Sequence, residues 1–191
     1  MNNRGLLIIY SGPSGCGKGT VMSRFLPKNP NTLMSVSCTT RAPRVGEIDG
    51  VHYFYITREK FEQMIAENAF LEYAQYAGNY YGTPKSWVDD RLAEGKNVVL
   101  EIEPQGALNV MKQRPDAFSV FLLPPSREEL ERRLRKRGTE AEEVILRRLQ
   151  AAEWELEQKD HYRFHIVNDD PDRAVAELEQ LIEAERNATN H

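Results

Sequence analysis

This chain of 191 residues is poor in several things, and each shortage narrows what it can be. It holds two cysteines, Cys16 and Cys38, too few for a disulfide framework, and no CxxC or HxxxH spacing gathers zinc ligands, so reduced thiols are expected. Long apolar runs are missing. The run Leu6 to Tyr10 is far too short for a signal-peptide core or a membrane span, and a cytoplasmic protein is expected. Positive charge is not in excess: 25 Lys and Arg against 29 Asp and Glu give a net charge of −4, which speaks against wholesale binding to nucleic acid or an anionic membrane. The four histidines, His52, His161, His165 and His191, are scattered and form no cluster. Repeats, low-complexity blocks and long linkers are lacking too.

What is there is ordinary for a folded protein: 40% hydrophobic and 28% charged residues, enough for one compact domain with a sizeable core. Five short β-rich runs predict strands at 6–10, 35–38, 98–102, 119–123 and 164–168. Helical patterns lie between most of them, so the chain reads as alternating β and α around a largely parallel, buried sheet. Helix starts are marked by capping chemistry. Ser126 with Glu129 and Thr139 with Glu142 have capping-box spacing, while Thr83 before Pro84 and Asp170 before Pro171 place a capping side chain ahead of a first-turn proline. Helices are expected from about 84, 127, 140 and 171. The stretch 39–82 breaks the rhythm: "VHYFYI" alternates, "TREKFEQMI" is helical and "GNYYG" reads as a turn or hairpin, together suggesting an inserted subdomain.

"GPSGCGKGT", residues 12–20, follows the first strand and precedes the helical "TVMSRFL". Gly12, Gly17 and Lys18 match GxxxxGK: glycines let backbone amides turn toward an anion, the helix N-terminus adds its dipole, and the lysine reaches the outer phosphates. A mere glycine turn would leave Lys18 without a task. Gly19 stands where a serine or threonine usually follows the lysine to meet magnesium, and Thr20 comes one residue late. Mg²⁺, which retains several waters, is then expected to be held mostly by nucleotide phosphates, with Thr20 acting indirectly. Cys16 fills a free position of the motif and is assigned no chemistry.

A phosphate loop does not specify what is done to the phosphate. The segments "SVSCTTRAPRVGEIDGVHYFY", "EYAQYAGNYYGT", "LEIEPQGA", "FLLPPS", "RGTEAEE" and "VNDD", in order over nearly the whole chain, resemble the guanylate kinase family. The resemblance implies an α/β fold of the P-loop NTPase type, with a parallel five-stranded sheet flanked by helices in a single domain, 1–191. Its core would be 1–36, 90–125 and 161–191, with a GMP-binding insertion at 37–89 and a helical lid at 126–160. It implies ATP-dependent phosphorylation of GMP, and of dGMP, to GDP in purine nucleotide metabolism, with Mg²⁺ accompanying ATP.

Carried over residue by residue, the resemblance assigns the donor ATP to Gly12, Pro13, Ser14, Gly15, Cys16, Gly17, Lys18, Gly19, Thr20 and Asn168. Asn168 would lie near the adenine; a surface turn ahead of Asp170 explains it nearly as well. Arg41 and Arg44, with Tyr53 and Tyr81, would grip the acceptor's phosphate through planar guanidinium groups and phenols. Ser37, Glu72 and Thr83 match positions that read guanine: a carboxylate accepts from guanine N1 and N2 hydrogens but meets an acceptor in adenine. Glu101 and Glu103, where the family commonly has aspartates, end a central strand with both side chains expected on one face. Glu101 would organise metal-bound water and Glu103 contact GMP, a capping role ahead of Pro104 being the alternative for Glu103. Arg137 and Arg148 match lid arginines that close over the transferring phosphoryl group, with Arg133 a further candidate; Lys18, Arg41, Arg137 and Arg148 form the catalytic set. Phosphoryl transfer relies on positioning and charge neutralisation, so no protein nucleophile or base is required. A non-catalytic interaction module would tend to lack a working phosphate loop, and a kinase for a phosphorylated sugar would lose the guanine readers. The sequence gives no oligomeric state.

Overall fold

The computed structural model describes residues 4–136 and 142–189. Along the chain the strands are β1 (Leu7–Ser11), β2 (Thr32–Met34), β3 (Cys38–Thr39), β4 (Phe54–Tyr55), β5 (Phe70–Tyr76), β6 (Asn79–Pro84), β7 (Asn97–Glu101), β8 (Phe118–Leu123) and β9 (Phe164–Val167). The helices are α1 (Lys18–Lys28), α2 (Arg58–Ala66), α3 (Lys85–Ala93), α4 (Pro104–Gln113), α5 (Arg127–Lys136), α6 (Glu142–Glu157) and α7 (Pro171–Thr189).

Five strands form a parallel sheet in the order β2-β7-β1-β8-β9, as an α/β chain with buried apolar runs requires. Alternation along β1 divides the core. Ile8 and Tyr10 join Val21, Met22 and Phe25 of α1 and Val175 and Leu178 of α7 on one face. Leu7 and Ile9 join Val88 and Leu92 of α3 and Ala107 and Val110 of α4 on the other. Strand order jumps from β7 to β1 to β8 at the centre, so the loops after β1 and β7 open side by side at the C-terminal edge, where ligands of such sheets gather.

A second sheet, β4-β3-β6-β5, is mostly antiparallel and carries its own small core of Cys38, Phe61 and Phe70. Phe61 of α2 stacks on Phe70 and on Tyr80, with ring centroids 4.4 and 5.0 Å away. Helices α5 and α6 meet through Leu130, Leu134 and Ala152. Among the described residues no helix is long and apolar enough to cross a membrane.

Two expectations need correction. The strand expected at 35–38 splits: β2 ends at Met34, with Ser35 N still donating to Val99 O at 2.9 Å, and Cys38 already pairs with Gly82 in the second sheet. Residues 36 and 37 carry the chain between sheets, so its β-branched alternation belongs to no single ladder. Thr83 does not cap the helix after it. Pro84 takes the N-cap position of α3 and still pairs with Phe70, while the Thr83 hydroxyl donates elsewhere. The other caps behave as read where described. Asp170 Oδ1 accepts the amides of Asp172 and Arg173, and Ser126 Oγ accepts that of Glu129, whose carboxylate turns to Arg132 and Arg133 instead of completing the box. Thr139 lies outside the described residues.

Candidate functional site

The phosphate loop leaves β1 and enters α1. Gly12 is required by close approach, since a Cβ there would stand 2.4 Å from Leu122 O. Gly17 is the N-cap of α1 with φ 97°, a left-handed conformation that favours glycine, and a Cβ on it would meet Asn168 Nδ2 at 2.4 Å. Asn168, buried at the end of β9, also donates to Cys16 O at 2.8 Å. Arg133 of α5 donates to Cys16 O at 3.1 Å and to Asn168 O at 3.0 Å. Asn168 and Arg133 thus brace the loop from beneath, and the Asn168 Oδ1 acceptor has no hydrogen-bond partner in this structure. Cys16 is fully buried, and burial, opposed by Lys18, pushes its thiol up to about 11, so it stays neutral and packs.

The first-turn amides of α1 have no partner inside the helix, and that of Lys18 bonds to the Cys16 thiol. Lys18 Nζ folds back on the loop, donating to Gly12 O at 2.6 Å and Pro13 O at 3.3 Å. Ser14 is held by α6: Arg148 Nη2 donates to its hydroxyl at 2.9 Å, and its amide donates to Glu155 Oε2 at 3.0 Å. Around this loop opens a cavity of about 570 Å³ lined by Ser14, Gly15, Gly17, Lys18, Gly19, Thr20, Glu101, Ile102 and Glu103. Glu101 ends β7, its carboxyl pushed up by burial and pulled back by Lys18. The strand stops there, and Glu103 is the N-cap of α4 without a capping side-chain bond. Both acids line this cavity even though they do not share one strand.

A second cavity, about 420 Å³, is lined by Glu72, Tyr73, Ala74, Ile102, Glu103, Gln105, Gly106 and Asn109. Ile102 and Glu103 therefore form a wall common to both. Glu72 and Thr83 are cross-strand partners of β5 and β6, which brings the Thr83 hydroxyl to 2.7 Å from Glu72 Oε1. Ser37 Oγ lies 3.5 Å from Thr83 Oγ1, so the three expected guanine readers are contiguous. Desolvation raises the Glu72 carboxyl even though Thr83 bonds to it.

Two residues before Thr83 on the same strand face, Tyr81 belongs to a neighbouring group. Tyr81 and Tyr53 pack edge to face at 5.9 Å, and the Arg41 guanidinium lies 5.5 Å from the Tyr53 ring. Arg41 Nη2 is 2.9 Å from Glu47 Oε1, while Tyr55 Oη donates to Glu47 Oε2 at 2.8 Å and the Arg44 amide at 2.7 Å. These bonds, that from Arg41 foremost, hold the Glu47 carboxyl down at about 2. Arg44 joins through its backbone; its side chain is exposed. Arg137 lies outside the described residues.

Sequence reasoning missed Glu47, Tyr55 and Glu155. Glu47 sits in a polar loop that reads as solvated surface, and Tyr55 in the run "VHYFYI", whose alternation says nothing of a polar partner. Glu155 left a trace: Ile145, Ala152 and Glu155 follow helical spacing, so an acid shares a stripe with buried apolar residues.

Comparison with known proteins adds a family. Residues 4–185 match the family model described as Guanylate kinase. The chain is 51% identical over 185 residues to the guanylate kinase of Clostridium perfringens strain SM101, covering 97% of this chain and 86% of that one. It is 52% identical over 184 residues to that of Carboxydothermus hydrogenoformans, covering 96% and 90%. The crystal structure of guanylate kinase from Anaplasma phagocytophilum superposes with a TM-score of 0.70 at 33% identity, covering 95% of this chain and 86% of that one.

Proposed function

Because this chain belongs to the guanylate kinase family, we propose that its two joined cavities hold ATP and GMP and that it moves the terminal phosphoryl group of one onto the other. The protein is a kinase, and its reaction is ATP + GMP → ADP + GDP. The observation that carries this assignment to particular residues is the wall at Ile102 and Glu103, which the phosphate-loop cavity and the Glu72 cavity share. A donor phosphate tail on one side and an acceptor phosphate on the other can meet there without crossing solvent.

The loop of residues 12–20 cradles the phosphate tail, chiefly through the amides at the head of α1, and Lys18 exchanges its two loop carbonyls for phosphate oxygens as charge builds up in transfer. Arg148, already beside the loop, and Arg137 neutralise the transferring group. Arg41, Arg44, Tyr53 and Tyr81 hold the acceptor phosphate, with Glu103 facing bound GMP from the common wall. Glu72 accepts from guanine N1 and N2 hydrogens, and the Ser37 and Thr83 hydroxyls serve O6. Adenine would leave that carboxylate unpaired, and such a mismatch is worth roughly 10⁴-fold in discrimination. Asn168 borders the adenine side of the donor site.

Magnesium fits these residues as a partner of the nucleotide. Among the described residues no group of three or more His, Cys, Asp or Glu could hold an ion alone, whereas Glu101 offers one partly buried oxygen acceptor in the phosphate cavity and Thr20 stands at its rim. Bound with ATP, the ion supplies charge neutralisation at the phosphates. Glu101 would accept from the ion's water shell, with Lys18 favouring its carboxylate against burial.

An ADP-release assay with GMP, AMP, UMP and CMP as separate acceptors tests the assignment. Turnover is expected with GMP alone, and Lys18→Ala should lower kcat at least about tenfold with the fold intact. AMP turnover matching that of GMP, or undiminished kcat in Lys18→Ala, overturns it.

A further inference from the structure

Helix α6 reaches the phosphate loop through two side chains that converge on one residue. Arg148 takes the Ser14 hydroxyl and Glu155 takes the Ser14 amide, at 2.9 and 3.0 Å. Arg148 and Glu155 are two turns apart on the same face of α6. Glu155 is 8% exposed and is the one charged side chain buried to that degree among the described residues. A carboxylate in that position is costly, and an apolar side chain on the same stripe would pack against the buried neighbours at lower cost. The groups that face it are the Ser14 amide and Lys18 from the loop and α1, Arg148 from its own helix, Glu103 from the wall between the cavities, and Tyr162 beyond the C-terminus of α6. Burial, with Glu103 adding to it, raises its carboxyl, and Ser14, Lys18 and Arg148 offset only part of that.

We propose that Glu155 is a positioning residue for phosphoryl transfer: by gripping the Ser14 amide it sets the distance between α6 and the phosphate loop and so delivers Arg148 to the donor's terminal phosphate. The division of labour follows from what each side chain holds. Arg148 Nη2 donates to the Ser14 hydroxyl, a bond that a phosphate oxygen can replace. Glu155 holds a backbone amide at the third position of the loop, N-terminal to the amides at the head of α1, and need not let go when phosphate enters. It is the pivot, and Arg148 is the arm. This inference rests on the assignment of Arg148 to the transferring group.

The test is a double-mutant cycle on the full chain with saturating ATP and GMP, combined with amide hydrogen exchange at Ser14. Glu155→Leu keeps the stripe apolar and is expected to fold with a thermal midpoint no lower than that of the parent. It should nonetheless lose about tenfold in kcat, with the KM for GMP within about twofold. In an Arg148→Ala background the same substitution should cost less than about twofold, because its effect passes through Arg148. Ser14 exchange should rise at least about tenfold in Glu155→Leu, and Glu155→Gln, which retains an oxygen acceptor, should restore both protection and kcat to within about threefold. Should Glu155→Leu not fold, Glu155→Gln and Glu155→Ala carry the same comparison. Equal losses of kcat in both backgrounds, unchanged kcat in Glu155→Leu, or unchanged Ser14 exchange overturns the proposal. Undiminished kcat in Arg148→Ala alone overturns the assignment of Arg148 and the pivot with it, while Ser14 exchange still reports whether the contact exists.

Discussion

Glu72 is an acid whose environment works against its charge. Burial raises its carboxyl above the ordinary value of 4.5, and the Thr83 hydrogen bond only partly offsets this. Between the ordinary and the raised value the folded protein binds the proton more tightly than the unfolded chain, so Glu72 adds stability at low pH and loses that contribution as pH rises through its folded pKa. Guanine recognition by Glu72, as proposed, runs the other way, because only the carboxylate accepts from N1–H and N2–H. GMP should therefore bind less tightly as pH is lowered from 7 toward 5. Glu72→Gln should weaken GMP by about 100-fold or more at pH 7, a penalty that shrinks as pH falls, because the variant lacks this part of the pH dependence. Calorimetric titration of both proteins at several pH values checks it; the acceptor's own phosphate titrates equally in each and cancels. Glu72 was legible because the motif around it is. Glu47 was not: nothing in "RVGEIDG" distinguishes a carboxylate that pairs with Arg41 from one that faces water.

At the scale of elements, local chemistry decided what could be read. A buried strand, a glycine turn and a helix following in immediate succession make β1, the loop and α1 visible together, and Asp170 before Pro171 announces α7. The segment after β2 was misread because propensity reports an extended backbone without saying which sheet it joins, and the chain changes sheets there. Thr83 was misread as a cap because a hydroxyl ahead of proline suits one, whereas its hydroxyl is drawn to its cross-strand partner Glu72. The second sheet has few buried residues to spare. Phe61, fully buried between Phe70 and Tyr80, anchors α2 to it. Phe61→Ala should cost about 3–5 kcal/mol by urea unfolding. It should raise the KM for GMP and leave that for ATP unchanged, since the phosphate loop lies on the other sheet.

For the whole molecule, the parallel sheet supplies one cavity wall and the second sheet the other. Division of the chain into a core, an insertion at 37–89 and a lid at 126–160 is a proposal that small-angle scattering can test. ATP and GMP together should reduce the radius of gyration, and ATP hydrolysis without GMP should run at less than about one hundredth of the transfer rate, because closure excludes water. No compaction, or brisk hydrolysis by ATP alone, counts against closure. The pairing of Arg41 with Glu47 bears on encounter at this same scale. If Arg41 serves the proposed clamp, a clamp that brings its own counter-charge projects little field into solution, and the chain's negative balance adds none that would draw a nucleotide in. Capture of GMP then depends on collisions that arrive already aligned, and rising ionic strength has little attraction to screen.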